Sequence, residues 1–244
     1  MKKIVIVLLA ALLVLGTVAC QAQKQAEEPA AEPAEEPAPV ETGAMVGGWT
    51  PAADYEVTEE RKAVFDKGVA ALLGVDYEPL AYLGSQMVAG TNHVFLVKGT
   101  AVVPTRPVSY ALVYLYEDLQ GNVKLMNIAD LGIVPNEDGT VTPPEEGPMG
   151  AWYYADDPTV TDEMLTRLDQ ALEGMVGASY APVANLGEQV VAGLNRCLLC
   201  QVTPVVPDAQ PHYALVYVYE KLDGGAELLQ VIGLDVGALC TYGA

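Results

Sequence analysis

The sequence predicts an α+β fold: two tandem modules, each with one helix packed across a four- to five-stranded antiparallel sheet. Three observations carry this expectation. The chain repeats itself at an offset of 103, since Gln86-Met87-Val88-Ala89-Gly90-Thr91-Asn92 matches Gln189-Val190-Val191-Ala192-Gly193-Leu194-Asn195. The same offset pairs Trp49 with Trp152, Val102-Val103-Pro104 with Val205-Val206-Pro207, and the run Tyr110–Glu117 with Tyr213–Glu220. Each copy opens on one segment of helical periodicity and then carries only strand signals. The breaks between those strands are short enough to be hairpins, so neighbouring strands run antiparallel.

In the first copy Thr58-Glu59-Glu60 offers an N-cap with acids in the first turn, and Phe65, Val69 and Leu72 follow at helical spacing. Its twin begins at Thr161-Asp162-Glu163 and places Leu165, Leu168, Leu172 and Met175 on one face. Strands are expected over 80–88, 91–97, 110–117 and 123–128. Val88-Ala89-Gly90-Thr91 and Leu119-Gln120-Gly121-Asn122 read as the two tight turns, with Leu222-Asp223-Gly224-Gly225 as the copy of the second. Alternate hairpins of an antiparallel sheet emerge at the same end. The segment holding Gly47-Gly48 can reach that end, so three short elements form one edge.

Strand alternation puts Tyr110, Leu112, Tyr114 and Tyr116 on one face and Ala111, Val113 and Leu115 on the other. The reading adopted is a sheet packed on its helix by one face, with the tyrosines lining the opposite face. The other reading is a module–module contact through the tyrosines.

The remaining boundaries follow from composition. Met1-Lys2-Lys3, an apolar run from Ile4 to Leu15 and then Gly16-Thr17-Val18-Ala19-Cys20 have the layout of an export signal, too short for a membrane-spanning helix. The cysteine after small residues resembles the lipobox of bacterial lipoproteins, which implies a lipid on Cys20 and a membrane as one partner. Residues 1–19 are thus a signal peptide, and residues 20–44 the lipidated cysteine and a Glu/Pro/Ala-rich tether. Module one covers 45–133, a linker 134–147, and module two 148–244. The protein is expected outside the cytoplasm, in the cell envelope or on the cell surface.

Charge narrows the partners. Among 244 residues, 32 acids face 12 bases, a net −20, with 51% hydrophobic residues. That hydrophobic share supports a core, and the shortage of bases argues against nucleic acid. Six acids fall between Glu27 and Glu41, so most of the acidity belongs to the modules, which favours basic partners. His93 and His212 have no ligand-spaced partner, so no metal and no cofactor is expected. Cys197 and Cys200 point to opposite faces of one strand, which disfavours a bond between them; either can pair with Cys240. No enzyme constellation accompanies these cysteines.

The order of N-terminal Gly, single helix, Gln-x-Val-x-Gly followed by Thr91-Asn92, and a second hairpin tip resembles the cystatin superfamily, its stefin branch above all. The resemblance implies reversible, non-covalent inhibition of papain-like cysteine proteases of a host or a competitor, by a wedge that occludes the cleft without presenting a scissile bond. Residue by residue, it implies protease contacts at Gly47 and Gly48; at Gln86, Met87, Val88, Ala89 and Gly90; and at Leu119, Gln120 and Gly121. In module two it implies Gly150, then Gln189, Val190, Val191, Ala192 and Gly193, then Leu222, Asp223 and Gly224. Leu119 and Leu222 stand where the secreted cystatins carry Pro-Trp. The family's legumain-binding Asn has no counterpart at Val75-Asp76-Tyr77 or Ala178-Ser179-Tyr180. Module one is expected to be the better inhibitor, and Gly90→Arg to abolish most inhibition with the thermal midpoint nearly unchanged. A non-inhibitory surface lipoprotein that binds another protein is the alternative.

Overall fold

The computed structural model describes residues 48–145 and 147–240. Strand β1 (Trp49–Pro51) precedes helix α1 (Glu59–Val69), and β2 (Val75–Val88), β3 (Gly90–Ala101), β4 (Val108–Glu117) and β5 (Val123–Asp130) follow. After β6 (Val134–Pro135) and β7 (Val141–Thr142), the same series returns. It comprises β8 (Trp152–Tyr154), α2 (Asp162–Ala171), β9 (Ala178–Val191), β10 (Gly193–Pro204), β11 (His212–Glu220) and β12 (Ala226–Leu234). Sheet one has the order β1-β2-β3-β4-β5, sheet two β12-β11-β10-β9-β8, and β6-β7 make a third; every pairing is antiparallel.

This corrects the expected α+β class of two helix-on-sheet modules. Among the described residues the fold is mostly β, with 49% strand against 11% helix in three antiparallel sheets. The helices have 11 and 10 residues and bury one side chain each, Phe65 and Leu168. Thr58 and Thr161 cap them as expected. Met175 lies beyond the end of α2, and Leu165 and Met175 are exposed, so that helix has a narrower apolar stripe than its periodicity suggests.

The main core lies between the two sheets. Tyr110, Leu112 and Tyr114 of β4 pack there with Tyr213, Leu215 and Tyr217 of β11, all buried. The reading that left the tyrosines on a face away from other packing is therefore replaced by the module–module contact. The physical reason is the hydroxyl, which a buried tyrosine must satisfy. Tyr114 donates to the Val236 carbonyl at 2.6 Å, and Tyr217 donates to the Ile133 carbonyl at 3.1 Å. The offset of 103 relates both donors and both acceptors, so the modules face each other about a local two-fold axis. Trp49 meets Tyr114 edge-on, and Trp152 meets Tyr217 likewise, each pair at 5.6 Å between ring centres.

The axis sets the ends of the sandwich. Tyr110, at the end of sheet one away from the Ala89 turn, donates to the Ala155 carbonyl just after β8. Gln201, at the corresponding end of sheet two, donates through Nε2 to the Ala52 carbonyl just after β1. The turn-bearing ends of the two modules therefore point in opposite directions. The segment expected as a plain linker contributes to the core: next to the fully buried Ile133 that ends module one, Val134 and Val141 of the small β6-β7 sheet pack against it.

The outer faces hold two lesser cores. Phe65 packs with Phe95, Val113 and Leu115 under α1; Leu168 packs with Leu198, Val216 and Cys200 under α2. Cys197 lies in the central core and Cys200 in the outer one, so the sheet separates them as alternation requires. Cys240 packs against the central core, and all three are free thiols. Neither pairing with Cys240 is formed. Burial pushes the Cys197 thiol up to about 12, which makes it inert.

Candidate protein-binding edge

The structure brings together the elements that the sequence assigned to one edge. Ala89 alone separates the paired residues Val88 and Gly90, making the β2-β3 turn as tight as a hairpin allows. Thr91 pairs with Glu117, which sets the β4-β5 turn beside it, and Trp49 pairs with Gln86, which brings the N-terminal segment to the same end. Module two repeats the arrangement: Gly193 opposite Val191, Leu194 opposite Glu220, and Trp152 opposite Gln189. Gly48 and Gly150 directly precede β1 and the Ala151–Trp152 step, respectively. Gly47 and Cys20 lie outside the described residues.

The side chains divide into those that hold the turns and those that face water. Asn92 Nδ2 donates to Gln86 Oε1 at 2.7 Å, and Asn195 Nδ2 to Gln189 Oε1 at 2.7 Å. Gln189 Nε2 also donates to the Gly150 carbonyl at 2.7 Å, tying the N-terminal segment of module two to its first hairpin. Tyr116 donates to the Ala89 carbonyl and Tyr219 to the Ala192 carbonyl, each at 2.6 Å. Gly90 and Gly193 have φ of +127° and +135°. A Cβ on Gly90 would stand 2.3 Å from the Glu117 carbonyl oxygen, and one on Gly193 2.4 Å from that of Glu220, with the tyrosine rings close behind. The Gln and Gly of the signature thus build the hairpin themselves. Tyr116 and Tyr219, its braces, were not singled out for this role from sequence. The signal available was their repeat at the offset of 103, four and four residues before Gln120 and Asp223.

The second turn is stiffened by Asp118. Its Oδ1 accepts from the backbone N–H of Gln120 and of Asn122, both at 2.9 Å, and Asn122 Nδ2 donates to Oδ2 at 2.8 Å. These hydrogen bonds hold the Asp118 carboxyl below the usual carboxylate range. In module two Gly225 N donates to Asp223 Oδ1 at 3.0 Å, and Arg167 of α2 donates to the Gly224 carbonyl. Lys67 of α1 likewise reaches the Gly121 carbonyl.

What projects is apolar. Leu119 is 80% exposed and Leu222 87%, the two largest values on these turns. Met87 and Val88 are exposed beside Leu119, and Val190 and Val191 beside Leu222. Ala89, Gln120, Ala192 and Asp223 are exposed as well, while Gly90, Gly121, Gly193 and Gly224 are half-buried. Each end of the sandwich therefore carries an apolar ridge on a rigid backbone, a form suited to filling a groove on another protein.

Behind the ridge the modules differ. In module one Tyr82 Oη lies 3.0 Å from His93 Nδ1, and His93 Nε2 lies 3.2 Å from Glu117 Oε2. A neutral imidazole protonated at Nε2 satisfies both contacts, donating to Glu117 and accepting from Tyr82. Burial lowers the affinity of His93 for a proton, and Glu117 opposes that shift. In module two Arg196 Nε donates to Glu220 Oε1 at 2.7 Å. Among the described residues no three His, Cys, Asp or Glu side chains gather where they could hold a metal ion.

No protein-family model matches the chain, and no curated protein matches it.

Proposed function

We propose that the protein is a reversible, non-covalent inhibitor of papain-like cysteine proteases, exported and held at a membrane by a lipid on Cys20. The observation that carries this reading is the meeting, at one end of a sheet, of an N-terminal segment and two hairpins that project Met87, Val88 and Leu119. An apolar ridge of this kind fills a cleft by burial alone and offers no bond to be cut. Fixed turns keep its entropy cost low, since Asp118 and the Gln86–Asn92 pair already hold the backbone. Module two presents the same ridge at the opposite end, so the two can engage separate proteases. The acidity of the surface speeds association with basic partners and slows it with acidic ones.

A second reading has its own support. Gln86 and Gly90, the residues that suggested a protease contact, serve the hairpin itself, so the ridge also suits a surface lipoprotein that binds a protein of another class without inhibiting it. Titration of papain with the intact protein separates the two. Inhibition at micromolar concentration, lost in Leu119→Asp together with Leu222→Asp while the thermal midpoint holds, is the expected result. Full papain activity throughout overturns the inhibitory reading and leaves the second.

A further inference from the structure

Module two carries a cleft that module one fills with its own side chains. In module one Arg61 Nη1 donates to Asp54 Oδ1 at 2.6 Å and to the Glu56 carbonyl at 2.5 Å. Its guanidinium carbon stands 4.3 Å from the centre of the Tyr82 ring, a cation–π contact. The Asp54 carboxylate is held in place by the Glu56 N–H at 3.2 Å. The offset of 103 maps Asp54, Glu56, Arg61, Tyr82 and His93 onto Asp157, Thr159, Met164, Asn185 and Arg196.

The receiving half of this arrangement survives in module two. Thr159 N donates to Asp157 Oδ1 at 2.9 Å, the same turn that fixes Asp54. The cation and the ring beneath it do not survive, because Met164 replaces the arginine and Asn185 the tyrosine. A cleft of about 690 Å³ is left, lined by Asp157, Thr159, Met164, Asn185, Glu188 and Arg196 among others.

Two observations show what the cleft lacks. Asn185 is 3% exposed, and its Oδ1 has no hydrogen-bond partner among the described residues; Nδ2 makes only a long contact, 3.4 Å, with the Asp157 carbonyl. A buried acceptor left unpaired is costly and is satisfied by an N–H or O–H donor. The charge balance is also incomplete. Arg196 is taken by Glu220 at 2.7 Å and Glu188 at 3.4 Å, and Lys98 of module one reaches the Asp156 carbonyl rather than a carboxylate. No Lys, Arg or His nitrogen forms an ion pair with Asp157 among the described residues. Hydrogen bonds from Thr159, with a lesser pull from the charge of Lys98, hold that carboxyl below the usual carboxylate range.

We infer that this cleft binds a guanidinium group supplied from outside the chain, with the Asp157 carboxylate and Asn185 Oδ1 accepting its N–H donors. Module one displays the pose, because its own Arg61 occupies the equivalent place. The inference is independent of the protease reading, since the cleft lies behind the ridge and involves none of its exposed residues.

The test is calorimetric titration of the intact protein with three probes: N-acetylarginine amide, N-acetylcitrulline amide, and a peptide with one arginine flanked by glycines. Saturable binding of the arginine probe is expected, with the neutral citrulline isostere weaker by about tenfold or more. Met164→Arg restores the module-one residue and should fill the cleft, weakening the arginine probe by about tenfold, as should Asp157→Asn. Asp54→Asn, on the filled side, should leave binding unchanged. Equal affinity for amide and peptide identifies a lone guanidinium as the ligand, whereas affinity for the peptide alone identifies an arginine within a polypeptide. No saturable binding of either arginine probe, equal binding of citrulline, or undiminished binding in a folded Met164→Arg overturns the inference. The last variant keeps the test decisive if Asp157→Asn does not fold.

Discussion

The two modules are more alike on the faces they turn toward each other than on their outer faces. On the inner faces Tyr110, Leu112, Tyr114 and Leu96 recur as Tyr213, Leu215, Tyr217 and Leu199. On the outer faces Phe65, Phe95 and Val97 become Leu168, Leu198 and Cys200. The two-fold axis accounts for the contrast. An inner residue packs against the counterpart copy, so a change in one module must suit the other module's interior at native density. An outer residue answers only to its own module's helix and sheet, and the ground behind the ridge has diverged furthest, with a His93–Glu117 pair in one module and an Arg196–Glu220 pair in the other.

The likeness of the turns can be broken most severely at their glycines. Gly90→Ala and Gly193→Ala each place a Cβ against a carbonyl oxygen at 2.3 and 2.4 Å on a backbone of positive φ. Each should cost about 3 kcal/mol in urea denaturation, and by similar amounts. Gly90→Arg, expected from sequence to spare stability, should cost at least as much for the same reason and is unsuitable as a probe of binding. A loss under about 0.5 kcal/mol in either alanine variant would show that the hairpins do not need the close approach.

The inner faces give the next effect. Tyr114→Phe strands the Val236 carbonyl and Tyr217→Phe the Ile133 carbonyl, so each should cost about 1–2 kcal/mol. Equal losses support the two-fold contact. Because both modules share one core, unfolding followed by the tryptophan signal should be a single transition; two separate transitions would break the comparison at its root.

Much of this was legible in the sequence. The offset of 103 fixes the duplication, strand alternation separates Cys197 from Cys200, and Thr58 and Thr161 announce the helix starts. The sheet-on-sheet core was not legible, because the acceptors for Tyr114 and Tyr217 lie 122 and 84 residues away, in segments with no periodic pattern. Local alternation says that a tyrosine face exists but not what covers it. The structural duty of Gln86 and Gly90 was hidden for a related reason: a residue that holds a turn and a residue that touches a partner leave the same motif. The open cleft had a signal in the places where the copies disagree, Arg61 against Met164 and Tyr82 against Asn185, but only the structure shows those four positions to be neighbours of Asp54 and Asp157.

The smallest effect tests the contrast behind the ridge. Burial lowers the His93 pKa from its ordinary value of 6.5, so the folded protein binds that proton less readily than the unfolded chain. Stability then rises with pH through this window: the contribution is fully present above about 6.5 and is lost as pH falls toward the lower folded value. One proton allows at most about 1.4 kcal/mol per pH unit, and the opposing pull of Glu117 keeps the slope well under that ceiling. His93→Gln keeps a donor for Glu117 and should flatten the profile between pH 5 and 6.5, whereas Arg196→Gln, which removes an ion pair that holds no imidazole, should lower stability without changing its slope there. Urea midpoints across that range read the difference directly. A slope that persists in His93→Gln would mean that carboxylates, not this histidine, carry the pH response of module one.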